Sequence, residues 1–159
     1  MVIRDMTREM SISLLKSASV GRIACARDSQ PYVTPFSFAY HKDFIYSLAT
    51  VGKKIEWMRA NPLVCVETDK IVSHQEWQTV VIFGRFEELP RTPEFYEAQV
   101  VAHHVLAQTA NWWEPGYVKT FRGKLERPLE TVYFRVSIDE ISGHQGVPDP
   151  GPSGVDRTL

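Results

Sequence analysis

The strand-like runs of this chain stand too close together for a parallel sheet. Three runs, about Val20–Arg27, Tyr32–Tyr40 and Phe44–Ala49, are separated only by the turn-rich "DSQP" and the short "HKD". A parallel pairing needs a crossover of about a dozen residues or more, whereas antiparallel strands join through tight turns. Phe36, Phe38 and Tyr40 alternate as on one face of a strand. Further on, "LVCVET" and "EWQTVVIFGRFEEL" read as a fourth strand and a long fifth one, with Gly84 as a bulge or bend. "TVYFRVSIDEI" alternates as a sixth. Six strands at this spacing, with few helices, predict a mainly β protein with flanking helices, built as an antiparallel barrel.

The helical segments are short. "MTREMSISLLKSA" has Thr7 as N-cap, and "GKKIEWMRANP" makes about two turns that Pro62 ends. "TPEFYEAQVVAHHVL" has Thr92 placed to cap it and Pro93 at its first position. "NWWEPGYVKTFRGKLERPLE" reads as an aromatic loop. At 159 residues the chain is one domain, expected over 1–143, followed by a Gly/Pro-rich tail over 144–159. A net charge of −1 offers no basic field for nucleic acid. No run approaches the roughly 18 apolar residues of a membrane span. The first ten residues carry charges of both signs without an apolar stretch, so a cytoplasmic location is expected. Cys25 and Cys65 sit in apolar runs and read as reduced thiols, with a disulfide between them the lesser alternative. No CxxC, HExxH or Walker-type motif is present, and no metal site is expected. His103 and His104 are consecutive on a helix and point about 100° apart, which does not make a metal pair.

Lys53 and Lys54 open the short helix directly after a strand. A helix N-terminus already carries unpaired N–H groups and partial positive charge. Cations prefer the other end by about 0.3–1 kcal/mol each. Two lysines here are either solvated surface groups or partners of an anion such as phosphate, with Gly52 allowing close approach.

Three stretches, "GRIACARDSQPYVTPFSFAY", "IYSLATVGKKIEWMRANPLVCVE" and "WQTVVIFGRFEEL", together resemble the pyridoxamine-phosphate-oxidase-like flavoproteins, in particular their nitroimidazole-resistance (Nim)-like branch. The likeness runs from Gly21 to Leu89, with fainter agreement at Ile138–Gly143. It implies a six-stranded antiparallel split β-barrel that binds FMN at a homodimer interface. Lys53 and Lys54 match the residues that hold the phosphate, and Thr50 would add a hydroxyl. The isoalloxazine would lie along Thr34, Pro35, Phe36 and Ser37. Tyr46, Ser47 and Ala49 from the strand ending at Thr50 complete the implied site, with polar contacts from Gln78 and Thr79. The oxidases proper carry Gln where this chain has Thr79, five residues before Gly84. This departure, and the lack of a counterpart to the oxidases' substrate-phosphate arginine and C-terminal Trp pattern, argues against pyridoxamine phosphate oxidation.

A flavin needs a flat slot between apolar walls, with a few polar groups at its edge. Phe36, Phe38, Tyr46 and Trp77 are candidate walls, or plain core. Trp112, Trp113, Tyr117 and Phe121 either close a pocket over a partner's flavin or seal the barrel's end. His74 reads as a solvated loop residue or as a group titrating beside a flavin. The expected function is an FMN-dependent oxidoreductase acting on a small electron-poor substrate, a nitroaromatic or quinone. The alternatives are a flavin carrier or sensor without turnover, or the same fold holding a deazaflavin or haem.

Overall fold

The structure, a computed structural model, describes residues 1–109, 120–122, 125–127 and 130–149. Strand β1 (Val2–Asp5) leads into helix α1 (Arg8–Ser17), where Thr7 Oγ1 accepts from Met10 N at 3.2 Å, the expected N-cap. Strands β2 (Val20–Arg27) and β3 (Gln30–Ser37) form a hairpin whose two turn residues, Asp28 and Ser29, have φ of 50° and 64°. Two positive φ values in a two-residue loop match the right-handed twist of the flanking strands. Strands β4 (Ala39–His41) and β5 (Phe44–Thr50) form a second hairpin, and α2 (Lys53–Ala60) follows. The long pair β6 (Leu63–Ser73) and β7 (Glu76–Leu89) comes next. A 3₁₀ turn (Pro93–Phe95) opens α3 (Tyr96–Leu106). There Thr92 contributes its carbonyl to Phe95 N at 3.1 Å and makes no side-chain cap bond, contrary to expectation. β8 (Thr120–Arg122) pairs with β9 (Leu125–Arg127), inside the segment expected to be loop. β10 (Thr131–Ser137) and β11 (Glu140–Val147) end the described chain.

The described residues thus hold eleven strands where six were expected. Two of the expected strands are divided, and the divisions make the barrel split. The run Tyr32–Tyr40 breaks at Phe38, whose N–H leaves the ladder and donates to Ser19 O at 2.9 Å. Its first half pairs with β2 and its second with β5. The run Thr131–Ile141 breaks at Ile138–Asp139. β10 pairs with β5 and with the C-terminal part of β7, while β11 pairs with the N-terminal part of β7. β11 continues through His144–Val147, past the expected start of the tail, because β1 and β7 flank it and satisfy its backbone.

The main sheet runs β3-β2-β6-β7-β10-β5-β4, with antiparallel pairing at each step among the described residues, and it does not close. Its two ends approach where Ser47 Oγ donates to Ser37 O at 2.7 Å. One core fills the inside: Leu15 of α1, Ile55 and Met58 of α2, and Ile23, Phe38, Ile45, Val66, Ile82 and Phe134 of the strands. Phe36 stacks on Phe38 at 5.5 Å, and Phe86 lies 5.4 Å from Phe134. A second cluster, including Tyr46, Leu89 and Leu106, lies under α3.

Gly84 marks the change of partner along β7. Phe83 still faces Glu140 of β11, and Phe86 already faces Val136 of β10. A Cβ on Gly84 would lie 1.8 Å from the carbonyl oxygen of Ser137. That obstacle is backbone and cannot rotate away. Gly84→Ala is therefore expected to lower the unfolding free energy by about 3 kcal/mol or more. Gly52→Ala, whose Cβ meets nothing within 4 Å, should change it by less than about 1 kcal/mol. Urea unfolding of the two variants checks the contrast.

Candidate functional site

Helix α2 is fixed at three places. Ile55 and Met58 are fully buried and hold its inner face on the core. Asn61 stops it, with Nδ2 donating to Ala26 O at 3.0 Å and Oδ1 accepting from Leu63 N at 3.2 Å. Arg59 forms a two-pronged pair with Glu88 of β7 at 2.7 and 2.8 Å. The other end has no such satisfaction. The N-cap is Gly52, which contributes no side-chain hydrogen bond to the first turn. The free N–H groups and the helix dipole there favour an anion.

The two lysines at this end differ. The Lys53 ammonium lies 4.7 Å from the ring centroid of Tyr32 and 4.7 Å from that of Trp57. Lys54 is half-buried, and that burial pushes its pKa below the ordinary lysine value; the nearby Cys25 thiol acts weakly the other way. Among the described residues Lys54 has no carboxylate within ion-pair distance. Cys25 in turn is held above the usual thiol range by burial, with both lysines opposing. Cys25 and Cys65 are free thiols. A desolvated, unpaired ammonium beside an uncapped helix start has the donor set that a phosphate requires.

The sequence-predicted residues fall into three groups. Thr50, Lys53 and Lys54 sit together at the β5–α2 junction, where Val51 N donates to Glu130 O at 2.8 Å. Thr34 and Pro35 lie on β3, which meets α2 through the contacts of Tyr32 with Lys53 and Trp57. Phe36, Phe38, Tyr46, Ser47 and Ala49 are all buried. Their side chains build the core, and the Ser47 hydroxyl is taken by Ser37. Gln78 and Thr79 stand apart on β7, with β2 and β6 between them and β3. Thr79 Oγ1 donates to Glu67 Oε1 at 3.3 Å, and Glu67 and Asp69 both bind Arg22, at 3.4 and 2.7 Å. Trp77 packs against Gly146, where an added Cβ would meet its Nε1 at 2.5 Å. His74 is exposed in the β6–β7 turn. Trp112, Trp113 and Tyr117 lie outside the described residues, and Phe121 is on β8. Among the described residues no three His, Cys, Asp or Glu side chains cluster as a metal site. No described helix is long and apolar enough to cross a membrane.

Sequence reasoning missed Tyr32, Trp57 and Cys25 as neighbours of the lysines. One signal was present: Trp57 stands four residues after Lys53, on the same helix face.

Residues 7–145 match the pyridoxamine 5'-phosphate oxidase family, and the chain belongs to it. An uncharacterised protein of Rhizobium meliloti is 34% identical over 143 residues, 90% of this chain and 95% of that one. The crystal structure of a FAD-binding protein from Mesorhizobium loti is 35% identical, with a TM-score of 0.75 over 92% of this chain and 98% of that one. A candidate 5-nitroimidazole antibiotic resistance protein from Bacteroides thetaiotaomicron shares the fold, with a TM-score of 0.62 at 16% identity over 91% of this chain and 89% of that one. The family and the split-barrel fold implied by the sequence motifs are therefore both met, in a flavin-binding family.

The burial of Lys54 has a consequence for stability. Its folded-state pKa is depressed, so between that value and the unfolded one the unfolded chain binds more protons. Lys54 therefore opposes folding while charged, and its penalty fades as pH rises toward the ordinary lysine value of about 10.4. Cys25, Cys65 and Tyr133 are held up by burial and act in the opposite sense, so a difference is needed. Without added anion, Lys54→Gln should be more stable than the parent at neutral pH. The gap should shrink as pH rises through the depressed value, as followed by denaturant melts at several pH values.

Proposed function

We propose that this protein is an FMN-dependent oxidoreductase that works as a homodimer on a small electron-poor substrate, a nitroaromatic or a quinone. The observation that carries the reading is Lys54: half-buried, unpaired and placed at an uncapped helix start in a flavin-binding family. A bound flavin supplies reversible electron transfer between a reduced nicotinamide donor and the acceptor. The chain's own residues bind and orient. Lys54 and the N–H groups of α2 would form the phosphate end with Lys53 beside them, Thr50 would add its hydroxyl, and the backbone of Thr34–Ser37 would support the ring. The FMN part is common to FMN and FAD, and the Mesorhizobium loti relative is a FAD-binding protein. Analysis of the cofactor released on denaturation separates the two.

The same layout supports dimerisation. Gln78 and Thr79 are separated from β3 by three inter-strand steps of about 4.8 Å each, so one protomer does not bring both to one ring. The outer face of the sheet carries a row of matched positions, Val33, Ala24, Cys65 and Phe83, of which Val33 is 62% and Phe83 54% exposed. Leu63 and Val20 extend it at 55% and 57%. A contiguous apolar face of this kind marks an interface, and a second copy seated on it would deliver its β7 to the first copy's β3. A cytoplasmic location suits a reduced nicotinamide donor and two free thiols.

The purified protein should be yellow, with flavin bands that bleach on adding a reduced nicotinamide and return on adding a nitroaromatic. Bands that do not bleach would make the protein a carrier, and a colourless protein that takes up no FMN would end the flavin reading. The double variant Lys53→Ala, Lys54→Ala should bind FMN more weakly on the order of tenfold or more, as expected for lost charge-assisted contacts. Light scattering at micromolar concentration should give twice the 18.2 kDa chain mass; a monomer mass would remove the shared site.

A further inference from the structure

We propose that Lys53 and Lys54 have separate tasks: Lys54 meets the anion, and Lys53 is a positioning residue that pins the edge strand β3 to α2. This rests on the flavin reading above, but its central observation is independent of it. The Lys53 ammonium is held between two aromatic faces, Tyr32 of β3 and Trp57 of α2, each with its centroid 4.7 Å away. The rings themselves meet edge to face at 5.7 Å and 61°. Distances under about 6 Å are those of a working cation–π contact. Among the described residues no carboxylate competes for this ammonium, and the two π-faces satisfy it in place of one.

The geometry explains why a clamp is needed here. β3 ends the sheet path, so only β2 pairs with it and its other edge is open. Two side-chain contacts tie it across that open edge. At its C-terminal end Ser47 Oγ of β5 holds Ser37 O at 2.7 Å. Toward its N-terminal end Lys53 holds Tyr32. Thr34, Pro35 and Phe36 lie between the two pins. Because Lys53 is the first residue of α2, the second pin also sets the spacing between this stretch and the helix N-terminus. Lys54, next in sequence, is half-buried, makes no cation–π contact with the ring pair and has no carboxylate within ion-pair distance among the described residues. An anion therefore meets one ammonium that is already engaged and one that is not.

The two roles separate when FMN is compared with riboflavin, which lacks the phosphate. A phosphate ligand affects FMN alone, and a clamp affects both. Lys53→Gln should weaken FMN and riboflavin by a common factor on the order of threefold or more, and lower the melting temperature of the flavin-free protein by about 3–6 °C. Lys53→Arg, which keeps a cation over the rings, should restore all three. Trp57→Leu should reproduce the parallel loss with both lysines intact. Lys54→Gln should weaken FMN about tenfold or more, leave riboflavin unchanged and not lower the melting temperature. If Lys53→Gln loses FMN affinity while riboflavin binding and melting temperature stay at the parent values, Lys53 is a phosphate ligand and the proposal is wrong. If the parent binds neither flavin, the functional reading fails instead. The clamp then stands or falls on the melting temperatures of Lys53→Gln and Lys53→Arg.

Discussion

Much of this fold depends on one close approach, that of the Gly84 backbone to the Ser137 carbonyl. A 14-residue strand cannot keep one neighbour along its whole length when the sheet must curl around a core. β7 exchanges β11 for β10 at this point, and the strand after β10 can turn away only because no Cβ blocks Ser137. The bonds on either side secure the exchange: Asp139 N donates to Phe83 O at 3.0 Å, and Ser137 Oγ accepts from Arg85 N at 3.1 Å. Ile138 N likewise donates to Asp43 O at 3.1 Å and Phe86 N to Pro62 O at 2.8 Å, and such partners are what make a divided strand tolerable. The curl in turn brings β5 back toward β3 until Ser47 reaches Ser37, and it leaves β3 as an edge.

An edge at that place suits recognition of a flat ligand. The inner face of the sheet is filled by Phe36, Phe38, Phe134 and Phe86, so no ring enters the barrel. What remains accessible is the backbone of an end strand that pairs with a neighbour on one side alone; on its other side the carbonyls of Pro31, Pro35 and Ser37 accept from the side chains of Gln30, Thr34 and Ser47. Pro31 and Pro35 remove two of the possible donors from β3, which also blunts the edge against pairing with another sheet. The proposed phosphate end would obey a different rule. Lys54 is kept partly out of water, which costs stability while it is charged, and the same desolvation would strengthen its attraction for an anion.

The strand order of events along the chain was legible in the sequence, and the divisions were not. Turn residues and patterning located β2, β5 and β7 to within a residue or two, because β2 and β7 stop before Asp28 and Pro90 and β5 starts after Asp43. Tyr32–Tyr40 and Thr131–Ile141 alternate just as well. Nothing in their local pattern says that Phe38 and Ile138 leave the ladder, because the reason lies in Ser19 and Asp43, partners distant in sequence. β1 was invisible because "VIRD" is short and mostly exposed, and gains its order only from β11. The site shows the same limit. The lysines announced themselves through their place before a helix, a local property. The rings that hold Lys53 did not, because Tyr32 comes from another hairpin. Phe36 and Tyr46 looked equally suitable as walls or as core, and only packing distinguishes the two.

The polar row next to the apolar one bears on how two copies could meet. Arg22 lies between Glu67 and Asp69, and Thr79 adds its hydroxyl to Glu67, so the group carries its own counter-charges. In a two-fold interface the same patch meets itself. A row of unpaired arginines or carboxylates would then repel its copy more strongly than this row, where Arg22 offsets one of the two carboxylate charges. Burying such pre-formed pairs still costs desolvation, which an interface of paired charges alone does not repay. The adjoining row of Val33, Ala24, Cys65 and Phe83 can repay it, since apolar burial returns about 25 cal/mol per Å². In the proposed dimer the apolar row would supply the affinity, and the polar row, one arginine between two carboxylates, would constrain the register. In the proposed dimer that register would also decide where Gln78 and Thr79 of a second copy stand relative to β3, so dimer geometry and cofactor site would be one problem rather than two.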